Sequence, residues 1–249
     1  FRPGYAKEER KLAAVTGRFM GRDVVFFPDK EGAFTALIGV EVDYKVGANP
    51  LDVRAKSIDG EESQQSKSME VVAGVFPSEV LTVQPRKVEP LKKDLPRIKR
   101  ERALIGAAYA ASAKQHFWDP PVTMPITSEI TSKYGTKRVY NGIKQSAHYG
   151  TDLRAKVGTP ILAPISGRVA LARDLFFTGW TVILDHGFGF FTIYAHMSKI
   201  KVKQGAQVKK GARLGMSGAT GRVSGPHLHW GAQLHGIKID PISLVDDLK

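Results

Sequence analysis

Three histidine features stand in order along the C-terminal half of the chain: His148-Tyr149-Gly150-Thr151-Asp152, Tyr194-Ala195-His196, and Gly225-Pro226-His227-Leu228-His229. Residues i and i+2 of a strand point to the same face, so His227 and His229 can address one site while Leu228 packs behind them. Imidazole and carboxylate are donors for a catalytic zinc ion, which commonly takes three protein ligands and leaves a further position open. The chain has no cysteine, which excludes a thiolate site and a disulfide framework. Five residues, His148, Asp152, His196, His227 and His229, therefore compete for three places. The two left over suit proton transfer or oxyanion stabilisation, because imidazole titrates near pH 6.5, at about neutrality. His116, His186 and His235 are read as structural, with His186 at a turn in Asp185-His186-Gly187. Arg138 carries a planar fork that either holds the groove together or contacts a substrate carboxylate.

Such a site needs rigid mounts. From Pro125 onward the chain is rich in strand-forming residues and dense in glycine, the pattern of a sheet with many tight turns. Upstream, as far as about Val88, short strands are expected at Arg22 to Phe27, Ala36 to Tyr44, Leu51 to Ile58 and Met69 to Val75. Asn49-Pro50 and Asp59-Gly60 read as turns between them. The regular spacing predicts a β-sandwich. Pro90 to Trp118 differs in character: Pro96 lies near a helix start, and Arg97 to His116 is mostly helix-forming, ending before Asp119-Pro120-Pro121. The expected organisation is mainly β, with an N-terminal β-sandwich over residues 1–89, a helical connector over 90–121 and a C-terminal β-domain over 122–249. Within that last domain, Val157 to Pro164 and Val208 to Gly215 resemble the hairpins of lipoyl- and biotinyl-carrier folds, but no convincing modifiable lysine sits at a hairpin tip.

The net charge is +13, and from Pro120 onward 17 lysines and arginines face 7 acids. A basic surface favours polyanionic partners, among them nucleic acid, anionic headgroups and carboxylate-rich cell wall. The basic residues lack the aromatic interleaving of single-strand binders, and nucleic acid is not expected as a partner. No apolar stretch approaches the roughly 20 residues of a membrane span. The chain opens at Phe1, so no export signal is judged from it.

Taken together, Ile130-Thr131-Ser132-Lys133-Tyr134-Gly135, Arg138, His148-x-Gly-x-Asp152, Gly158-Thr159-Pro160, Tyr194-Ala195-His196-Met197-Ser198 and Ser224-Gly225-Pro226-His227-Leu228-His229 resemble the lysostaphin-type, or LytM-type, zinc endopeptidases of bacterial cell walls. The resemblance covers about Ile130 to Pro241. It implies an antiparallel two-layer β peptidase domain with a metal groove, one Zn2+ per chain, and hydrolysis of peptide bonds in peptidoglycan stems or cross-bridges. It also implies a periplasmic or secreted place in the cell envelope. Carried over by residue, His148, Asp152 and His229 match the zinc ligands, and His196 and His227 match the catalytic pair. Trp230 stands where the pattern more often has phenylalanine, and Tyr140 lies near the first ligand at an undetermined register. The competing expectation is a catalytically inactive wall-binding or regulatory module of the same fold. Such degenerate members are expected to lack a ligand, and here all five positions are filled.

Overall fold

The computed structural model describes residues 11–28, 32–118 and 120–248. The chain's opening residues and Asp119, expected to close the connector, lie outside them. The chain divides into two compact units, Phe1–Val75 and Phe76–Lys249.

The first unit is one antiparallel sheet of β1 (Leu12–Phe19), β2 (Arg22–Pro28), β3 (Phe34–Ala36), β4 (Gly47–Ser57) and β5 (Glu62–Val71), in the order β3-β2-β1-β4-β5. The second layer that a sandwich requires is not among the described residues. Val15, Val53 and Ala55 are buried on one face, with Leu12, Phe26, Phe34 and Leu51 packed against them. Two local expectations are corrected. Asn49-Pro50 is inside β4, where Pro50 faces Ser68 of β5, and is not a turn. The β1–β4 ladder stops at Leu51, so Pro50 lies where β4 has a neighbour on one side only, and its missing N–H costs no ladder bond on the other. The run to Tyr44 is strand only as far as Ala36, where its pairing with Phe26 ends the ladder to β2.

The second unit begins with β6 (Ser78–Leu81), a single helical turn α1 (Pro85–Val88) and the helix α2 (Leu95–Ala110), which has proline in its first turn. The helix was expected to reach His116. It stops at Ala110, and just beyond it the Asp185 carboxylate accepts from Ser112 Oγ (2.8 Å) and the Ala113 N–H (2.9 Å). A tertiary contact thus overrides local propensity. Ile105, Ala108 and Tyr109 of α2 pack on Leu171, Leu175, Ile183 and Phe191 of the main sheet.

The remaining strands are β7 (Ile130–Ser132), β8 (Lys137–Tyr140), β9 (Lys144–Ala147), β10 (Thr151–Arg154), β11 (Pro160–Leu162), β12 (Gly167–Leu175), β13 (Gly179–Gly187), β14 (Phe190–Ile200), β15 (Gln207–Val208), β16 (Arg213–Ser217), β17 (His227–Leu234) and β18 (Ile237–Ile239), before the closing helix α3 (Pro241–Asp247). The main path is β15-β12-β13-β14-β17-β10-β7, all antiparallel. From Met197 onward β14 also pairs with β16, which carries β11. The core collects Ile161 of β11 and Leu214 of β16 with Leu153, Val169, Val182, Tyr194, Met197, Leu228 and Trp230 of the main path. A small third sheet, β6-β8-β9, has β6 parallel to β8. The architecture is mainly β, as the sequence implied.

Candidate metal centre and groove

Strand alternation builds the centre. In β17, Leu228 and Trp230 are fully buried, while His227 and His229 emerge on the opposite face. Burying Leu228 contributes roughly 1.5–3 kcal/mol, which fixes the strand and so aims both histidines. Antiparallel register sets Asp152 of β10 opposite His229, and Ala195 of β14 opposite His229 on the other side, so His196 follows directly. His148 stands in the turn from β9 to β10.

His148 Nε2 lies 3.0 Å from His229 Nδ1 and 3.0 Å from Asp152 Oδ1, and His229 Nδ1 lies 2.9 Å from Asp152 Oδ1. Bonds of about 2.0–2.1 Å to a tetrahedral zinc place donor atoms roughly 3.3 Å apart. The triangle therefore fits such an ion in both donor chemistry and size, and among the described residues it is the cluster that can hold one. His148 Nδ1 lies 3.0 Å from the Lys133 carbonyl oxygen, which only accepts, so the ring proton belongs on Nδ1 and Nε2 keeps its lone pair. Gly150 makes room for the other ring: a Cβ there would fall 2.5 Å from His229 Cε1 and 2.7 Å from the Trp230 carbonyl oxygen.

Asp152 is buried, which pushes its carboxyl up, yet hydrogen bonds from His148 and His229 outweigh that and hold it well below the usual carboxylate range. Arg138, also buried, donates from Nη2 to Asp152 Oδ2 (2.5 Å) and Ser132 Oγ (2.9 Å), and from Nε to Glu79 Oε1. Its position lines the groove, but these donors are directed to the protein and not left to a substrate. Glu79 was missed by the sequence reading. It stands 59 residues before Arg138 on a strand that joins β8 in parallel, and no local spacing announces such a pairing.

The two further histidines share the opening. The His196 and His227 ring centroids are 4.8 Å apart, and those of His196 and His229 are 5.9 Å apart. His196 Nδ1 donates to the Thr220 carbonyl (2.8 Å) and His227 Nδ1 to the Gly225 carbonyl (2.9 Å), which leaves the Nε2 lone pair of each imidazole toward the groove; that of His227 lies 3.6 Å from Asp152 Oδ2. Burial, then the neighbouring His227 and His229, hold the His196 imidazole well below its ordinary value. His196 also has a left-handed backbone, φ 61°, a conformation that costs a non-glycine residue about 1–3 kcal/mol and concentrates at functional sites. His186 lies within β13 and not at a turn, fully buried, with Nδ1 2.7 Å from the Ser166 carbonyl and Nε2 2.8 Å from Thr192 Oγ1.

Two cavities meet at the histidines. One, of about 250 Å³, is lined by Glu79, Leu81, Ser132, Asp152 and His227 among others; the second, of about 260 Å³, by Tyr149, Phe177, Thr178, His229 and Lys238 among others. Arg138, Tyr140, His196 and Arg222 line both.

Residues 146–241 match the model of peptidase family M23, a span containing the three donors and both further histidines. The crystal structure of a putative peptidase M23 from Pseudomonas aeruginosa is 30% identical, with a TM-score of 0.70, and the match covers 93% of this chain and 87% of that one. The chain belongs to peptidase family M23. Among curated M23-like relatives, the peptidoglycan DD-endopeptidase ShyA of Vibrio cholerae is 41% identical over 109 residues, 43% of this chain and 25% of ShyA. The DD-carboxypeptidase/endopeptidase Mpg of Neisseria meningitidis is 37% identical over 97 residues, 39% of this chain and 22% of Mpg. The matched part of the chain thus spans about a quarter of these relatives' length. No helix among the described residues is long and apolar enough to cross a membrane.

Proposed function

We propose that this chain is a zinc-dependent endopeptidase that hydrolyses peptide bonds in peptidoglycan stems or cross-bridges, in the periplasmic or secreted part of the cell envelope. The observation that carries the reading is the compact His148–Asp152–His229 donor triangle, with edges of 2.9–3.0 Å, beside two histidines each tied to a backbone carbonyl through Nδ1. The peptidoglycan substrate is supported by the likeness to ShyA, a peptidoglycan DD-endopeptidase.

His148, Asp152 and His229 would hold the ion through Nε2, Oδ1 and Nδ1. The chemistry a zinc ion supplies when bound is Lewis acidity, which makes a scissile carbonyl more electrophilic and a water more acidic near neutral pH. Arg138 orients the Asp152 carboxylate by taking its second oxygen, so that Oδ1 faces the two imidazoles. His196 and His227 act as the catalytic pair. A neutral imidazole tied through Nδ1–H to a carbonyl accepts a proton at Nε2, and once protonated it donates there to a developing oxyanion or a leaving amine. The buried setting of His196 keeps it in the neutral, accepting form.

The test is incubation of purified sacculi with the zinc-loaded chain, with and without chelator, followed by separation and mass analysis of the soluble fragments. The expected result is release of peptide-cleaved fragments that stops with chelator and returns with zinc. Binding to sacculi without any zinc-dependent release identifies an inactive wall-binding module instead.

A further inference from the structure

Among the described residues, Arg222 and Lys238 are the groove cations left without a carboxylate, and Arg222 is the arginine of the two. Of the arginines lining the first cavity, Arg138 pairs with Asp152 and Glu79, and Arg154 with Glu129. Among the described residues no carboxylate lies within ion-pairing reach of Arg222. The second cavity is lined by Arg138, Arg222 and Lys238 and by no acidic residue. Both acids of the groove are thus already bound by Arg138, and positive charge is left over beside His196.

The arginine is held in place rather than loose. Its guanidinium lies over the ring of Tyr140, 4.3 Å from the centroid, and 5.2 Å from that of Phe177. Its backbone N–H donates to the Phe177 carbonyl (2.7 Å), and the neighbouring Thr220 is bound to the same turn through the Trp180 N–H (3.0 Å). Gly221, with φ +84°, permits the close approach, since a Cβ there would lie 2.5 Å from Gly179 N and from the Phe177 carbonyl oxygen. The same segment orients His196 through the Thr220 carbonyl. Contact with aromatic rings engages the face of a guanidinium and leaves its N–H donors, which lie in its plane, available at the edge. A planar fork fixed in this way matches a carboxylate bidentately.

We propose that Arg222 is the specificity-determining residue of the groove: it anchors a free carboxylate of the substrate peptide close to the scissile bond, so that the preferred substrates are acidic peptides. The inference rests on the peptide-hydrolase reading and names the substrate chemistry of that site. It makes the 218–226 segment a double device, presenting a substrate anchor at Arg222 and a carbonyl for His196 at Thr220.

The experiment uses two synthetic cross-linked stem-peptide dimers, identical except that the carboxyl next to the scissile bond is free in one and a carboxamide in the other. Wild type, Arg222→Gln and Arg222→Lys are compared for kcat/KM with zinc, for affinity by calorimetry with chelator, and for zinc content and Tm. Charge-assisted bidentate hydrogen bonds of this kind give a wild-type preference of about ten- to a hundredfold for the free carboxylate. Arg222→Gln is expected to bring the preference close to unity through loss on the carboxylate peptide, while Arg222→Lys, which keeps charge without the fork, retains part of it. Equal treatment of the two peptides by wild type overturns the proposal, whatever the variants do. So does an Arg222→Gln variant that keeps the preference, or that loses equally on both peptides, which marks a purely structural wedge. If wild type cleaves neither peptide but binds the carboxylate form more tightly in an Arg222-dependent way, the anchor stands and the hydrolase reading fails.

Discussion

Replacing Gly150 by alanine tests the centre with a single carbon atom. The added Cβ would sit 2.5 Å from His229 Cε1, 2.7 Å from His229 Nε2 and 2.7 Å from the Trp230 carbonyl oxygen. Ordinary carbon contacts begin near 3.5 Å, so roughly 1 Å must be found. Trp230 cannot retreat: it is fully buried and paired with Thr151 on one side and Tyr194 on the other. The imidazole must therefore move, and a shift of about 1 Å is a third of the 2.9 Å separating His229 Nδ1 from Asp152 Oδ1. Overpacking of this kind costs about 1–3 kcal/mol. Disturbing a ligand's orientation typically weakens metal binding by about 10–100-fold. The stabilisation conferred by a fixed excess of zinc should accordingly fall by about 1.4–2.7 kcal/mol. The assays are zinc affinity by competition with a chromophoric chelator and thermal unfolding with and without zinc. Gly106→Ala, in α2 with nothing within 4 Å of its Cβ, is the control: zinc affinity should be unchanged, and the unfolding temperature should rise slightly because alanine is the better helix former by about 1 kcal/mol. A Gly150→Ala chain that binds zinc within about twofold of wild type, against the expected 10–100-fold, would refute the assignment of His229 as a ligand.

His229→Ala removes one of three donors and should lose both zinc and hydrolysis, whereas His227→Ala and His196→Ala should keep about one zinc per chain while turnover falls about a hundredfold or more. Elemental analysis and turnover on sacculi decide it, and a His227→Ala chain lacking zinc would reverse the two assignments. His186 is held neutral by burial, its value lowered from 6.5 to about 4. The unfolded chain therefore takes up a proton that the folded chain refuses, and stability present above pH 6.5 should be lost as pH falls toward 4, by about 3 kcal/mol. Denaturant unfolding of wild type and His186→Gln from pH 7 to 4 measures this as a difference, and parallel curves would reject it. Finally, if the basic C-terminal half helps hold anionic wall, sacculus binding should weaken from low salt to about 1 M, where screening shortens the reach of exposed charge to about 3 Å; pull-down at each salt concentration is the measurement, and salt-insensitive retention contradicts the idea.

The sequence by itself brought five candidate site residues forward and determined how the His-x-His pair is mounted. His227-Leu228-His229 was legible because a strand has period two, which puts both histidines on one face and Leu228 in the core whatever surrounds them. The glycine density and the order of the histidine motifs carried the family and the mainly β class. What the sequence did not determine is set by contacts between distant segments. The Asp185 carboxylate caps the segment beyond Ala110, so helix propensity up to His116 was not realised. Pro50 is tolerated in β4 because β1 does not extend to its side, a fact of register invisible in the local Asn-Pro pair. Glu79 reaches Arg138 through a parallel pairing, and Arg222 comes to rest on the Tyr140 and Phe177 rings, with no carboxylate partner among the described residues, only when distant segments are brought together. Local spacing encodes which way a side chain points along its own strand. Which charge is neutralised and which is left for a ligand depends on partners far away in the chain, and the tertiary structure decides that.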